Sequence, residues 1–225
     1  MFLETGKAIR MMDITKTFGE VVANDKVCLD IHPGEILALL GENGSGKTTL
    51  LRLLNKLISC DRGTITYQGQ DILDLDAVLL RRSVVMLPQN PAIYPGNVRD
   101  NLAIGLAFAE KLPASDERLR QALAQVNLNK DLDAKSDLLS GGEKQRLALA
   151  RLMLLEPDVY LLDEPSSALD ENTERLIIEA LVAAAKDNGK TLIMVTHTRQ
   201  IAQAYADRTI EISGGRIVSD REARS

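Results

Sequence analysis

The stretch LLGENGSGKTTL, residues 39–50, limits what this chain can fold into more than any other part of its sequence. It contains the pattern G-x-x-x-x-G-K-T at Gly41–Thr48, directly after the apolar run EILALL and before a helical pattern from Lys47 to Leu57. A continuous apolar run of this length is typical of a strand that is covered on both faces. The sequence therefore predicts a buried strand, a glycine-rich loop and a helix in direct succession.

The rest of the chain predicts more strands and helices in alternation. Residues 8–31 alternate apolar and polar positions, which predicts strands with a turn near Gly19. Further strands are predicted in GTITYQG, SVVMLPQ, DVYLLDE and TLIMVTH and around Gly214-Gly215, with helices at 171–186 and 199–205. From Asn97 to about Leu154 the pattern is helical, and Pro113 divides it.

This order of elements predicts an α/β fold. Its parts are a phosphate-loop core with a mostly parallel sheet, an N-terminal antiparallel β subdomain and an inserted helical lobe. We place the lobe at about 90–154 and predict one domain over residues 1–225.

Composition and charge narrow the functional classes. The net charge of −5 argues against a general nucleic-acid binder, so we expect no nucleic-acid partner. No apolar run reaches the ~18 residues of a spanning helix, and the N-terminus MFLETGKAIR lacks the apolar region of a secretion signal. Cys28 and Cys60 lack metal-ligand spacing, which predicts reduced, inert thiols in a cytoplasmic protein.

The glycine-rich loop predicts a phosphate site. Its glycines let backbone N–H groups turn toward phosphate oxygens, and the helix that follows adds the positive end of its dipole. In such a loop we expect Lys47 to reach the terminal phosphates of a nucleotide and the Thr48 hydroxyl to bind Mg²⁺. The alternative, a turn that merely caps a helix, explains neither side chain. The predicted nucleotide-binding residues here are Gly41, Glu42, Asn43, Gly44, Ser45, Gly46, Lys47, Thr48 and Thr49.

Two carboxylates, Asp163 and Glu164, end the buried strand in VYLLDEP. Ligands of open α/β sheets lie at the carboxyl ends of strands, so both acids are expected to face the phosphate loop. Asp163 would hold Mg²⁺, and Glu164 would act as general base toward the attacking water. The alternative is a pair of exposed turn acids before Pro165.

Two more polar residues follow buried strands. Gln89 comes after SVVML and is a candidate for contact with both the metal and the attacking water; the alternative is a solvated turn residue. His197 ends TLIMVT and is a candidate hydrogen-bond donor to the γ-phosphate; the alternative is a structural histidine. His32, in the turn DIHPGE, is expected to be exposed and inert.

The segment LLSGGEKQRLALARLML, residues 138–154, places Gly141 and Gly142 at the start of an apolar helix. Ser140 and Glu143 have the spacing of a capping box, which predicts that the helix begins here. Inside a helix each glycine costs about 1 kcal/mol relative to alanine, and a cap needs no glycine pair. The pair therefore predicts that another group approaches this backbone closely.

The order of the motifs along essentially the whole chain is similar to that of the ABC ATPases. The motifs concerned are the phosphate loop, Gln89, LSGGEKQR, LLDEP, SALD and TH. This resemblance implies a P-loop NTPase core and head-to-tail pairing with a second copy. Each ATP would lie between the phosphate loop of one subunit and the LSGGE element, residues 139–143, of the other. Ser140, Gly141 and Gly142 would then contact the γ-phosphate across the dimer.

The resemblance also assigns Phe18 and Asp170. Phe18 lies 23 residues before Gly41 and corresponds to the aromatic residue that stacks on adenine; the alternative is a strand core residue. Asp170, in SALD, corresponds to a loop that communicates between the two ATP sites; the alternative is an N-cap of the next helix.

The function implied is that of an ATPase subunit that uses ATP and Mg²⁺ to drive a transmembrane permease from the inner face of the cell membrane. The partner would dock on the region 90–112 through an exposed cluster of Ile93, Tyr94 and Val98; the alternative is local packing. A soluble ABC ATPase and a non-catalytic nucleotide-binding module are the rivals. The chain lacks the coiled coil or second ATP domain of the former, and the four residues Lys47, Asp163, Glu164 and His197 argue against the latter.

The sequence leaves the cargo open. FGEVVANDKV is similar to import ATPases for sugars and nucleosides, whereas LSGGEKQR…LLDEPSSALDE is similar to small ATPases associated with metal-ion export. LDAKSDL, just before the signature, departs from the glycine- and glutamate-containing segment of exporters with fused membrane domains.

Overall fold

The structure is a computed structural model that describes residues 8–166 and 169–223. The strands are β1 (Ile9–Phe18), β2 (Val21–Ile31), β3 (Ile36–Leu40), β4 (Arg62–Tyr67), β5 (Gln70–Asp71), β6 (Val84–Leu87), β7 (Val159–Asp163), β8 (Thr191–Val195), β9 (Arg208–Ser213) and β10 (Arg216–Glu222). The helices are α1 (Lys47–Leu54), α2 (Ala77–Ser83), α3 (Val98–Phe108), α4 (Asp116–Gln125), α5 (Gly141–Leu155), α6 (Glu171–Asp187) and α7 (Arg199–Tyr205), with a 3₁₀ turn at Ser136–Leu138.

The chain forms two compact units. The sheet unit comprises Met1–Met86, Pro157–Asp163 and Ala185–Ser225, and the helical unit comprises Leu87–Glu156 and Glu164–Ala184. The single domain predicted over 1–225 stays a prediction. Among the described residues, no helix combines the length and the apolar character that crossing a membrane requires.

A six-stranded sheet forms the core, in the order β10-β9-β3-β8-β7-β6. Strand β3 pairs in parallel with β8 and β9, β7 pairs in parallel with β8, and only the β9–β10 pair is described as antiparallel. Every residue of β3, β7 and β8 is buried, as their continuous apolar runs predicted. The mostly parallel core is confirmed, and it places the carboxyl ends of β3, β7 and β8 along one edge of the sheet.

A second, antiparallel sheet has the order β2-β1-β4-β5. Its first hairpin turns at Gly19, as predicted, and Phe18 pairs with Val21 next to that turn. The N-terminal antiparallel β subdomain is therefore confirmed. The sequence interpretation missed α2, whose N-cap Asp76 accepts hydrogen bonds from the backbone N–H groups of Val78 and Leu79.

The helical unit holds α3, α4, α5 and most of α6. An inserted helical lobe is therefore confirmed, whereas its predicted bounds of about 90–154 stay a prediction. Capping fixes where its helices begin: Asn97 and Asp100 form a capping box on α3, Ser115 caps α4, and Ser140 and Glu143 form a capping box on α5. Helix α5 is buried along most of its length, which makes it the central helix of the unit.

Candidate nucleotide-binding site

The phosphate loop connects β3 to α1, and its backbone requires glycine at two positions. Gly41 has φ +147°, and a Cβ there would lie 2.1 Å from the carbonyl oxygen of Ile212. Gly46 has φ +104°, and its Cβ would lie 2.1 Å from the carbonyl oxygen of Ala23. Both side-chain positions are therefore closed by backbone of neighbouring elements, and no other residue fits without moving the loop.

Lys47 is buried within this loop, with 5 % of its surface exposed. Its Nζ donates to the carbonyl oxygens of Gly41 and Glu42, at 2.8 Å each, and lies 3.4 Å from Ser45 Oγ. A buried ammonium needs such partners. The loop thus holds a positive charge beside the backbone N–H groups at the start of α1, an arrangement that suits a phosphate group.

Thr48 and Asp163 meet at the same end of the sheet. The Thr48 hydroxyl donates to Asp163 Oδ1 over 2.9 Å, and Asp163, the last residue of β7, is 4 % exposed. A hydroxyl and a carboxylate oxygen are hard ligands of the kind that Mg²⁺ takes together with nucleotide phosphates. Among the described residues, no group of three or more acidic, histidine or cysteine side chains could hold a metal by itself. By its chemistry, the pair of Thr48 and Asp163 fits a Mg²⁺ that is bound together with nucleotide phosphates.

Glu164 and Gln89 are brought together in the helical unit. Gln89 Nε2 donates to Glu164 Oε2 over 2.6 Å. Glu164 has φ +49°, a left-handed conformation that non-glycine residues adopt at a cost of about 1–3 kcal/mol and that clusters at functional sites. The amide of Gln89 thus orients a carboxylate that stands on a strained turn.

The sequence interpretation missed Gln145, which anchors that turn. Its side chain is buried, and its Nε2 donates to the carbonyl oxygen of Pro165 over 2.9 Å. Because Gln145 belongs to α5, the helix that begins at the LSGGE element is tied to the residue after Glu164. The signal in the sequence was a polar residue on an otherwise apolar helix face.

His197 and Asp170 lie on separate units. His197 follows β8 and is exposed, at the same edge of the sheet as the end of β3. Asp170 is exposed, and its carboxylate accepts hydrogen bonds from the backbone N–H and the hydroxyl of Thr173, which lowers its pKa. Asp170 thus stabilises the start of α6, as its alternative interpretation predicted. Ser167 and Ala168 of the SALD element lie outside the described residues.

The LSGGE element forms the predicted helix start. Ser140 Oγ accepts from the backbone N–H of Glu143, and Glu143 Oε2 accepts from the backbone N–H of Ser140 over 2.9 Å. A Cβ built on Gly141 would have nothing within 4 Å. The described fold therefore leaves room for a side chain at position 141, and packing within the chain gives no reason for glycine there.

Phe18 ends β1 with 51 % of its surface exposed. The alternative that it is a core residue of the strand is therefore wrong. Its ring is available for stacking, and Lys16 Nζ lies 5.4 Å from the ring centroid.

The predicted exposed cluster of Ile93, Tyr94 and Val98 is wrong in one member. Val98 is fully buried because it begins α3 and faces the interior of the helical unit. Ile93 and Tyr94 are half-buried. The ring of Tyr94 packs against Arg151, whose Cζ is 5.3 Å from the ring centroid, and against the ring of Phe108. Local packing thus accounts for much of this cluster.

The remaining side chains singled out in the sequence have simple environments. His32 is exposed, as predicted. Cys28 and Cys60 are free thiols, exposed and half-buried respectively, and burial raises the pKa of Cys60.

The chain matches the family model described as ABC transporter over residues 24–167. It is 35 % identical to the methionine import ATP-binding protein MetN of Rhizobium etli over 97 % of this chain and 62 % of that protein. It is 37 % identical to the phosphate import ATP-binding protein PstB of Salinibacter ruber over 93 % of this chain and 88 % of that protein. The chain thus spans about three fifths of the length of the MetN relative.

Solved structures agree with this likeness. One is a dimeric ATP-binding cassette in a post-hydrolysis state, bound to ADP and Pi, which superposes with a TM-score of 0.88 at 28 % identity. The alignment covers 96 % of this chain and 99 % of the cassette. A second structure of the same cassette, described as a dimeric bacterial ABC transporter cassette, superposes with the same TM-score at 29 % identity and with the same coverage.

Proposed function

Since this chain belongs to the ABC transporter family and carries its ATPase domain, we propose that it is the ATP-binding and ATP-hydrolysing subunit of an ABC transporter. Two copies would close around two Mg-ATP and drive solute transport through a separate transmembrane partner. The observation that carries this proposal is the hydrogen bond between Thr48 and Asp163 beside the buried Lys47. It places a hydroxyl, a carboxylate and an ammonium at one helix start, which is the donor set for Mg-nucleotide.

The residues that we propose bind the nucleotide lie in the sheet unit. Backbone N–H groups of the phosphate loop and Lys47 would hold the phosphates, and the adenine would stack on Phe18. Thr48 and Asp163 would hold Mg²⁺. Bound Mg²⁺ supplies electrostatic stabilisation of the charge on the transferred phosphoryl group.

The hydrolytic half depends on Glu164. A water oxygen attacks the γ-phosphorus, its proton passes to the Glu164 carboxylate, and the bond to the bridging oxygen breaks so that ADP leaves with the electron pair. The hydrogen bond from Gln89 would fix the direction of that carboxylate. His197 would donate a hydrogen bond to the γ-phosphate.

The partner across the nucleotide would be a second copy of this chain. The N-terminus of α5 would offer Ser140 and backbone N–H groups to an anion, and the open space at Gly141 suits the close approach of a phosphate. Both solved structures described above are dimers, which supports the same arrangement here. Asp170 would then transmit the state of one ATP site to the other.

The transmembrane partner would dock on the helical unit, and the subunit would be peripheral on the inner face of the cell membrane. An open groove on that unit is the proposed docking surface, in place of the predicted cluster with Val98; its lining includes Pro91, Ile93, Tyr94, Pro95, Lys135 and Asp137. The two relatives named above are import subunits, which favours small-solute import over metal-ion export. They are named for different solutes, so no single cargo is proposed.

An Asp163→Asn variant tests the proposal. The amide keeps the shape of the side chain but removes the charge that would hold Mg²⁺. We expect release of phosphate from Mg-ATP to fall by roughly a hundredfold, while binding of ATP in EDTA stays near the parent affinity. Parent-like hydrolysis would contradict it. Co-purification with a membrane protein that stimulates hydrolysis would support transport, and stimulation by no membrane protein would favour a soluble ABC ATPase.

A further inference from the structure

The exposed ring of Phe18 is held by contacts that lie outside the phosphate loop. We call Lys16, Thr17 and Asp61 the platform clamp. Lys16 and Thr17 precede Phe18 on β1, and Asp61 lies in the connection from α1 to β4. All of these residues belong to the sheet unit.

Asp61 uses its backbone and both carboxylate oxygens to hold the end of β1. Its backbone N–H donates to the carbonyl oxygen of Thr15 over 2.8 Å. Its Oδ2 accepts from the backbone N–H of Thr17 at 2.6 Å and from the Thr17 hydroxyl at 2.8 Å. Its Oδ1 accepts from Lys16 Nζ at 2.9 Å. The strand end that carries Phe18 is therefore fixed to the segment that leaves the phosphate-loop helix.

Lys16 joins this carboxylate to the ring. Its Nζ lies 5.4 Å from the centroid of Phe18 while it is paired with Asp61. A cation at this distance from a ring face is attracted by the ring quadrupole. The lysine thus restrains the rotation of an aromatic side chain that has 51 % of its surface exposed.

The charge on Asp61 is stable at every pH at which the protein would work. Hydrogen bonds from Lys16, and then those from Thr17, lower the pKa of Asp61 to about 2. The carboxylate is therefore ionised throughout the neutral range and keeps both contacts.

We propose that Asp61 and Lys16 are positioning residues that hold the Phe18 ring ready for the base of the nucleotide. Ordering an aromatic side chain on binding costs affinity, and a ring that is already restrained avoids that cost. The inference rests on the proposed function through Phe18 alone. The ligand feature concerned is the purine ring, and the phosphates are held elsewhere.

Two ligands separate base binding from phosphate binding. We would measure dissociation constants by calorimetry for ATP and for inorganic tripolyphosphate, which has the phosphates without a base. The variants are Asp61→Ala, Asp61→Asn and Lys16→Met, with Phe18→Ala as reference. Asp30→Ala is the matched control, because Asp30 pairs with Arg10 on the same sheet over 3.4 Å.

We expect Asp61→Ala and Lys16→Met to weaken ATP binding roughly 3- to 10-fold and to leave tripolyphosphate binding unchanged. Asp61→Asn, which still accepts hydrogen bonds from Thr17, should lie between them and the parent. Asp30→Ala should change neither constant. In a Phe18→Ala background, Asp61→Ala should have no further effect, because the ring that it positions is absent.

Two results would overturn the inference. Equal loss of ATP and tripolyphosphate binding in Asp61→Ala would show a general effect on the loop. The second result is weaker ATP binding in Phe18→Ala but parent affinity in Lys16→Met and in both Asp61 variants. It would support stacking of the base on Phe18 and would reject the positioning role of Lys16 and Asp61. Parent affinity in Phe18→Ala would instead contradict the role of Phe18 in the proposed function. If Asp61→Ala does not fold, Lys16→Met and Asp61→Asn provide the same comparison.

Discussion

Gln89 and Glu164 are 75 positions apart in the chain, and the Gln89 amide donates to the Glu164 carboxylate over 2.6 Å. The bond holds Oε2 of the proposed general base in a fixed direction. Gln89 is exposed, so the contact is not a by-product of core packing.

Gln89→Ala should therefore slow the chemical step more than it weakens binding. We expect kcat to fall by about tenfold, because a general base that is no longer oriented loses part of its ~10²–10⁴-fold contribution. Steady-state phosphate release gives kcat and KM separately. Asn90→Ala, at the next exposed position, is the control. An increase in KM alone would assign Gln89 to binding.

Gly105→Ala should destabilise the fold although alanine is the better helix former. A Cβ on Gly105 would lie 2.7 Å from Arg151 Cγ. Arg151 has little freedom to move, because its Nη2 donates to the carbonyl oxygen of Ala92 over 2.7 Å and its Cζ lies 5.3 Å from the Tyr94 ring centroid. We expect the free energy of unfolding to fall by about 1–3 kcal/mol. Urea unfolding gives this free energy. An increase of about 1 kcal/mol, which is the usual effect of replacing a helical glycine by alanine, would contradict this packing.

Gly141→Asp should separate stability from activity. The described fold leaves space at this position, and an acidic residue suits the first turn of a helix, so thermal stability should stay within about 0.5 kcal/mol of the parent. Hydrolysis should be lost, because the new charge would meet the γ-phosphate of the second subunit. Mixing with Lys47→Ala subunits should restore part of the activity, since each mixed dimer keeps one intact site. Parent-like hydrolysis by Gly141→Asp alone would rule out the cross-dimer contact.

The ionised Glu143 carboxylate should make the free energy of unfolding depend on pH under acidic conditions. The backbone N–H of Ser140, and then Lys130, lower its pKa from 4.5 to about 2. A carboxyl whose pKa is depressed by folding contributes stability that is complete above the unfolded value and is lost as the pH falls toward the folded value. Between about pH 5 and pH 2 the urea midpoint of Glu143→Gln should thus fall less steeply than that of the parent. Identical slopes would exclude this contribution.

Much of the core could be predicted because β3, β7 and β8 are buried on both faces and are therefore apolar at every position. The phosphate loop was equally predictable, since its backbone admits only glycine at positions 41 and 46. Helix α2 was missed: Val78 and Leu79 are exposed on it, so its apolar residues do not mark a buried face.

Contacts between residues that are far apart in the chain could not be predicted from sequence patterns. Val98 was expected at the surface because an apolar residue in a turn-rich segment looks the same whether it faces a partner or its own core. Asp61 gave no signal, because its hydrogen bonds with Thr17 join segments 44 residues apart. The pairing of Gln89 with Glu164 likewise depends on the tertiary fold.

The central claim is that ATP closes a dimer and that Glu164 then activates water, and the Glu164→Gln variant tests both parts. The amide keeps the side-chain shape, removes the proton acceptor and removes a negative charge near the γ-phosphate. Size-exclusion chromatography with light scattering, with ATP and then with ADP, would give the mass of the variant. We predict a dimer with ATP, a monomer with ADP, and hydrolysis reduced about a hundredfold or more. A variant that stays monomeric with ATP, or that hydrolyses it at the parent rate, would contradict the account.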